Sequence, residues 1–188
     1  MVKVLDGPVH IDFTAPGEAP PTPREMPHRL LAIEPPQRAA TPYPFSHVTL
    51  CAGWPTGPAT SLSAGPFTPR RAWSGTPDEQ RYTHLLIALT NALPGREEEF
   101  DDWYWNQHFP DGQRLPGCYA ACRFALAAGG AGPFHHLALY QLDEADAAVI
   151  VDAHAKRAGT AAMPISSAIS PVFQAWYARP LSGWSRPD

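Results

Sequence analysis

Three side chains near residue 108 have the chemistry of an acid/base site. His108 follows Tyr104 by four residues, so on a helix both side chains project from the same face. An imidazole that titrates near neutral pH, beside a phenol, can move a proton at an enolisable carbon or a phenol. Asp111 lies three residues further on and could orient the imidazole. A structural alternative stays open, in which His108 bonds a backbone carbonyl, Asp111 caps a turn and Tyr104 is a core aromatic.

An alternation of short apolar runs and helical segments begins at Tyr82 and must position these side chains. The expected strands are 82–91, 118–126, 134–142 and 172–178. The expected helices are 96–108, which Pro110 stops, and 143–157, with Asp143 as N-cap. The order β-α-β-β-α-β predicts an α+β, ferredoxin-like antiparallel sheet with its helices on one face. The other apolar face must be covered, so a homodimer is expected.

Two histidines and a tyrosine on the expected strands are candidate substrate-binding residues. Side-chain alternation places His136 and Tyr140 on one face of the third strand, and His84 on one face of the first strand. If these faces carry the helices, the three side chains point towards His108. For each histidine, a position in the core or at the sheet edge is the structural alternative.

Two further residues could contribute to the same pocket. Arg123, on the second strand, could bind an anionic group of a substrate, and a salt bridge at the sheet edge is the alternative. Trp103, on the first helix, suits an apolar ligand pocket and suits an ordinary core equally well.

The first helix also carries a family resemblance. Residues 103–111 read WYWNQHFPD, which has the form W-Y-x-x-x-H-x-P-D, and residues 115–117 read LPG. This sequence resembles the EthD-like branch of the dimeric α/β-barrel superfamily, over roughly residues 82–179. The resemblance implies a barrel built across a dimer, with His108 at the pocket of each subunit. The superfamily includes cofactor-free cyclases, lyases, decarboxylases, monooxygenases and dehydratases acting on haem-bound substrates, so the reaction stays open.

The N-terminal part of the chain has a different composition. Of the 23 prolines in the 188 residues, fifteen fall in residues 1–80. Proline removes a backbone donor and disfavours helix. Residues 1–80 are therefore predicted to be an extended arm with one or two short strands, at 28–33 and 45–52, that lies on a surface, and a flexible tail is the alternative. Residues 81–180 would form the barrel domain and residues 181–188 a C-terminal tail.

Composition limits the partners and the compartment. The formal net charge is −4 and no basic run occurs, so no nucleic-acid partner is expected. No apolar run reaches the roughly 18 residues of a membrane span, and the N-terminus has no secretory pattern, which indicates a cytoplasmic protein without a membrane partner. The three cysteines suggest neither a disulfide framework nor a zinc site, and no metal or cofactor is expected.

The leading functional hypothesis is a cofactor-independent acid/base enzyme of the cyclase, dehydratase, decarboxylase or lyase type. Its substrate would be a small apolar, oxygenated molecule, aromatic or polyketide-like, held in the barrel pocket. One alternative is a non-catalytic protein that binds a small molecule or serves an accessory role. A third hypothesis is a haem-handling protein with His84, His136 or His154 as the axial ligand.

Overall fold

The computed structural model describes residues 4–22, 26–34, 45–53, 62–78 and 80–185. In these ranges the chain forms mainly β-structure. The strands are β1 (Val9–Thr14), β2 (His28–Glu34), β3 (His47–Ala52), β4 (Leu62–Pro69), β5 (Ser74–Gly75), β6 (His84–Thr90), β7 (Cys118–Ala131), β8 (His136–Leu142) and β9 (Gln174–Pro180).

Eight of these strands close into an antiparallel β-barrel. Their order is β4-β1-β3-β2-β9-β6-β8-β7, and pairing of β4 with β7 closes the ring, while the short β5 adds to the edge of β7. The N-terminal half has the order β4-β1-β3-β2 and the C-terminal half has the order β9-β6-β8-β7. In each half, the last strand in sequence is therefore followed by the first, third and second strands of that half. The prediction of an α+β, ferredoxin-like βαββαβ fold is therefore wrong.

The N-terminal part is not an extension outside the domain, which corrects the expected fold class. Strands β1 to β4 make up half of the closed ring, and β2 pairs with β9 of the C-terminal part. The proline count was misleading because the prolines stand mostly between strands: β1, β2 and β3 contain none. The alternating burial along β2 is that of a strand with one face on a core.

Hydrophobic side chains from both halves fill the barrel interior. Phe13 on β1, Phe67 on β4, Phe124 on β7 and Trp176 on β9 are all buried in one cluster. The apolar sheet face that was expected to need a second subunit is thus covered by strands of the same chain. That reason for a homodimer no longer applies, and the homodimer itself stays a prediction.

The outer faces of the two halves are covered differently. Helical segments pack on the outer face of β6 to β9 and form a second hydrophobic cluster there. On the N-terminal half, Asp12, Thr49 and Cys51 are buried on the outer side of β1 and β3. The Thr49 hydroxyl donates to the carbonyl of Pro21 at 3.4 Å, which places the proline-containing segment 15–22 over this face.

The helices lie in the C-terminal part, apart from a 3-10 turn at Val4–Asp6. They are α1 (Glu97–Trp103), a π-helical segment (Tyr104–His108), α2 (Phe109–Gly112) and α3 (Ala147–Arg157). Asp146, rather than the expected Asp143, caps α3 by accepting from the Ala148 N–H at 2.9 Å. No helix in the described part of the chain is long and apolar enough to cross a membrane.

Candidate functional site

The candidate site lies where the helix 97–112 changes its hydrogen-bonding pattern. The helix does not end at His108 as predicted but continues through the π-helical segment into α2. Pro110 has no N–H and its ring would clash with a carbonyl four residues earlier in a regular α-helix. The Phe109 N–H instead bonds the Tyr104 carbonyl, five residues back, which opens the turn before the proline. Such π-bulges occur often at functional sites.

His108 is held in an aromatic environment. Its ring stacks on Trp103 with centroids 4.7 Å apart, and Tyr104 meets it edge-on at 5.1 Å. Its buried Nδ1 has no hydrogen-bond partner among the described residues. Burial, followed by the neighbouring His154, lowers the pKa of His108 to about 4, against the opposing charge of Asp111. His108 is therefore a neutral imidazole at pH 7.

Two buried tyrosines lie on the inner side of the helix: Tyr104, which contacts His108, and Tyr140, which lies near Tyr104. Tyr104 and Tyr140 are both at most 2% exposed. Burial raises the pKa of Tyr104, and burial and the nearby Tyr104 hydroxyl raise that of Tyr140. The helix approaches Tyr140 so closely that a Cβ on Gly112 would lie 2.7 Å from its ring, which requires glycine there. Both phenols stay protonated at neutral pH.

Arg123 also contacts Tyr104, and its side chain is fully buried. Its Cζ is 4.3 Å from the Tyr104 ring centroid, and its Nη2 donates to Asp101 Oδ1 at 2.5 Å. Nη2 also contacts His136 Nδ1 at 3.1 Å. Because arginine only donates, His136 Nδ1 must accept, which makes this ring neutral. Burial, followed by the charge of Arg123, lowers the pKa of His136 to about 4.

Asp111 is buried but is occupied by other partners. Its two carboxylate oxygens accept from Gln107 Nε2 at 2.6 Å and from Arg114 Nη1 at 2.5 Å. The side chain thus fastens the end of the helix, and its effect on His108 is through charge.

The Asp111→Asn substitution is expected to reduce the free energy of unfolding by roughly 1–2 kcal/mol, because a charge-assisted bond to Arg114 is lost at a buried position. Asp102→Asn is the matched control: Asp102 also accepts from an amide four residues later, Asn106, but it is exposed. Urea unfolding of both variants measures the difference. Equal losses would contradict the assigned role of Asp111.

His84 lies far from this cluster. In the register of β6 and β8, His84 pairs with Leu142 at one end and His136 pairs with Thr90 at the other. Leu142 and His136 are six residues apart along β8, so the two histidines are about 20 Å apart. His84 Nδ1 donates to the Glu144 carbonyl at 2.8 Å, and its Nε2 is 3.4 Å from Glu34.

The structure therefore brings together six of the eight residues singled out from the sequence as one contiguous group. They are Trp103, Tyr104, His108, Arg123, His136 and Tyr140.

Sequence reasoning missed two partners in this region. Asp101 pairs with Arg123, and the Tyr177 hydroxyl is 2.6 Å from His154 Nδ1. Helical spacing offered a signal for Asp101, three residues before Tyr104. No local pattern links residues on α3 and β9.

A cavity of about 300 Å³ lies elsewhere, between α3 and the edge of the barrel. Ala147, Ala148 and Val151 form one wall, and the ion-paired Glu34 and Arg179 form part of the other. This volume is at the lower limit for a small-molecule site.

No group of three or more histidine, cysteine or acidic side chains suited to a metal ion occurs within the described ranges. Comparison with known proteins found no matching family model, curated protein or solved structure. The resemblance to the EthD-like branch is therefore not supported, and the closed barrel contradicts the dimeric α/β-barrel architecture that it implied.

Proposed function

We propose that this protein is an acid/base enzyme that removes and returns a proton on a small, apolar, oxygenated molecule. One observation carries the proposal: His108 is a partly buried, neutral imidazole whose buried Nδ1 atom has no partner among the described residues. A buried polar atom without a partner requires an explanation, and a catalytic role is one such explanation. Aromatic rings around it favour an apolar, aromatic substrate.

The protonation states assign the roles. His108, neutral at pH 7, can accept a proton, while the protonated Tyr104 and Tyr140 can donate one. Removal of a proton from carbon followed by its return at another position is the common step of cyclisations, dehydrations and carbon–carbon lyase reactions. The proposed reaction class is this proton transfer, with His108 as the base.

Exchange of carbon-bound hydrogen for deuterium tests the proposal without knowledge of the natural substrate. The probe is 2-tetralone, a neutral bicyclic aromatic ketone with acidic protons at C1. The protein in D₂O is expected to accelerate loss of the C1–H signal in the proton NMR spectrum. His108→Gln should reduce the protein-catalysed rate by roughly 100-fold or more, because a general base contributes at least that factor.

His135→Gln is the matched control, since His135 is an exposed histidine on the same half of the barrel. It should leave the exchange rate unchanged. Equal rates in the two variants, or no exchange above buffer in the wild-type protein, would contradict the proposal.

The cavity beside α3 favours a second candidate function, which is small-molecule binding without turnover. In that case 2-tetralone would bind without proton exchange. Filling the cavity by Ala148→Trp would abolish binding, whereas His108→Gln would leave it intact.

A further inference from the structure

We infer that Arg123 binds the carbonyl oxygen of the substrate, which assigns neutral, enolisable ketones as the substrate class. This inference rests on the proposed function and deepens it. It concerns a second polar side chain that contacts the Tyr104 ring.

The hydrogen-bonding groups of Arg123 are not all used. Its side chain is 0% exposed, yet Nε and Nη1 have no hydrogen-bond partner among the described residues. Only Nη2 is engaged, by Asp101 and His136. The Tyr104 and Phe100 rings lie 4.3 and 5.1 Å from its Cζ and stabilise the charge, but they do not accept two N–H bonds. A guanidinium buried with two free donors is therefore suited to an oxygen acceptor.

The position of Arg123 relative to the base fits one substrate molecule. Arg123 and His108 both contact the ring of Tyr104, at 4.3 and 5.1 Å from its centroid. In an α-deprotonation the base is about 3 Å from the reacting carbon and the donor about 3 Å from the carbonyl oxygen. Both groups border the same ring, so the inference places the ketone at the edge of Tyr104, between His108 and Arg123.

The charges at the site favour a neutral ketone over a carboxylic acid. Asp101 already pairs with Arg123 at 2.5 Å, so a permanent carboxylate would lie next to another carboxylate. The substrate carboxylate would also have to lose its hydration in an aromatic environment, which is costly in free energy. A neutral carbonyl avoids both costs, and its oxygen becomes negative only when the proton leaves.

The proton-transfer step balances with these two residues. The C–H bond breaks, its proton goes to the imidazole of His108, and its electron pair forms the C=C bond as the carbonyl oxygen becomes an enolate beside Arg123. Return of the proton regenerates neutral His108. An imidazole with a pKa of about 4 is a weak base, so the enolate requires this stabilisation.

Three ligands with the same bicyclic body test the substrate class. They are 2-tetralone, the hydrocarbon tetralin and the anion 1,2,3,4-tetrahydro-2-naphthoate, each titrated against the tryptophan fluorescence of the full chain. We expect the ketone to bind most tightly. Tighter binding of the carboxylate would overturn the inference and make Arg123 a site for permanent anions. Equal binding of the hydrocarbon and the ketone would also overturn it.

Two arginine variants test the residue. Arg123→Lys keeps the charge but removes the free Nε donor, and should lower the exchange rate of 2-tetralone by roughly 100-fold. Arg70→Lys is the matched control, because Arg70 pairs with the same Asp101 from a side chain that is 43% exposed. It should exchange 2-tetralone at the wild-type rate.

Asp101→Asn is a second test, which can be used if Arg123→Lys does not fold. The side chain of Asp101 is 30% exposed, so its substitution disturbs the core less than a substitution of Arg123. Removing this carboxylate leaves the charge of Arg123 without its partner. It should therefore raise the exchange rate of 2-tetralone and tighten binding of 1,2,3,4-tetrahydro-2-naphthoate. The role of Arg123 would be overturned if Arg123→Lys and Asp101→Asn both exchanged 2-tetralone at the wild-type rate. If His108→Gln lost exchange in the same experiment, the proposed function would still be supported. Absence of exchange in the wild-type protein would instead refute the proposed function.

Discussion

Phe13→Ala is expected to reduce the free energy of unfolding by about 3–5 kcal/mol, the range for removing a fully buried aromatic ring. Phe13 is 0% exposed, and its ring centroid lies 4.5 Å from that of Trp176 on β9. The contact joins strands from the two ends of the chain across the barrel interior. The loss should appear in urea unfolding as a lower midpoint with one cooperative transition.

Phe173→Ala is the control for this substitution, because Phe173 is 51% exposed just before β9. It should change the free energy of unfolding by less than about 0.5 kcal/mol. If Phe13→Ala were equally neutral, the N-terminal strands would not form part of the core, and the closed barrel would be contradicted.

Lowering the pH below neutrality is expected to destabilise the protein through His108 and His136, which are neutral in the folded protein. The pKa values of His108 and His136 fall from 6.5 in the unfolded chain to about 4 in the folded protein. The unfolded chain therefore binds protons more readily between these values, and stability declines as the pH drops through this window. For His108 the full loss is about 3 kcal/mol, of which about 2 kcal/mol is reached by pH 5. His136 has the same direction of shift and adds to this loss.

Urea unfolding at pH 7 and pH 5 measures this dependence. His108→Gln and His136→Gln should each flatten it, because an amide does not titrate in this range. His135→Gln should keep the wild-type dependence, since His135 is exposed. A wild-type protein that is equally stable at both pH values would show that these imidazoles are not buried in their neutral form.

Local sequence patterns predicted the helix that carries the site. Helical spacing placed Trp103, Tyr104 and His108 together, and strand alternation placed His136 and Tyr140 on one face. Alternation gives the face of a strand but not the position along it, which is why His84 was wrongly grouped with His136. Helical spacing places Asp101 near Tyr104, but its pairing with Arg123 depends on how the helix lies across the sheet.

The architecture could not be predicted in the same way. Proline density in residues 1–80 gives no information about short strands that lack proline, such as Val9–Thr14, which went unrecognised. The closing contacts are pairings of β2 with β9 and of β4 with β7, between segments far apart in sequence. Such non-local pairing leaves no periodic signal in either segment.

A crystal structure of the protein with 2-tetralone would show where the substrate binds. We expect the ketone beside Tyr104, with its oxygen about 3 Å from Nε or Nη1 of Arg123 and its C1 carbon about 3–3.5 Å from the His108 ring. A ketone bound instead in the cavity between α3 and Glu34, with the His108 region unchanged, would contradict it.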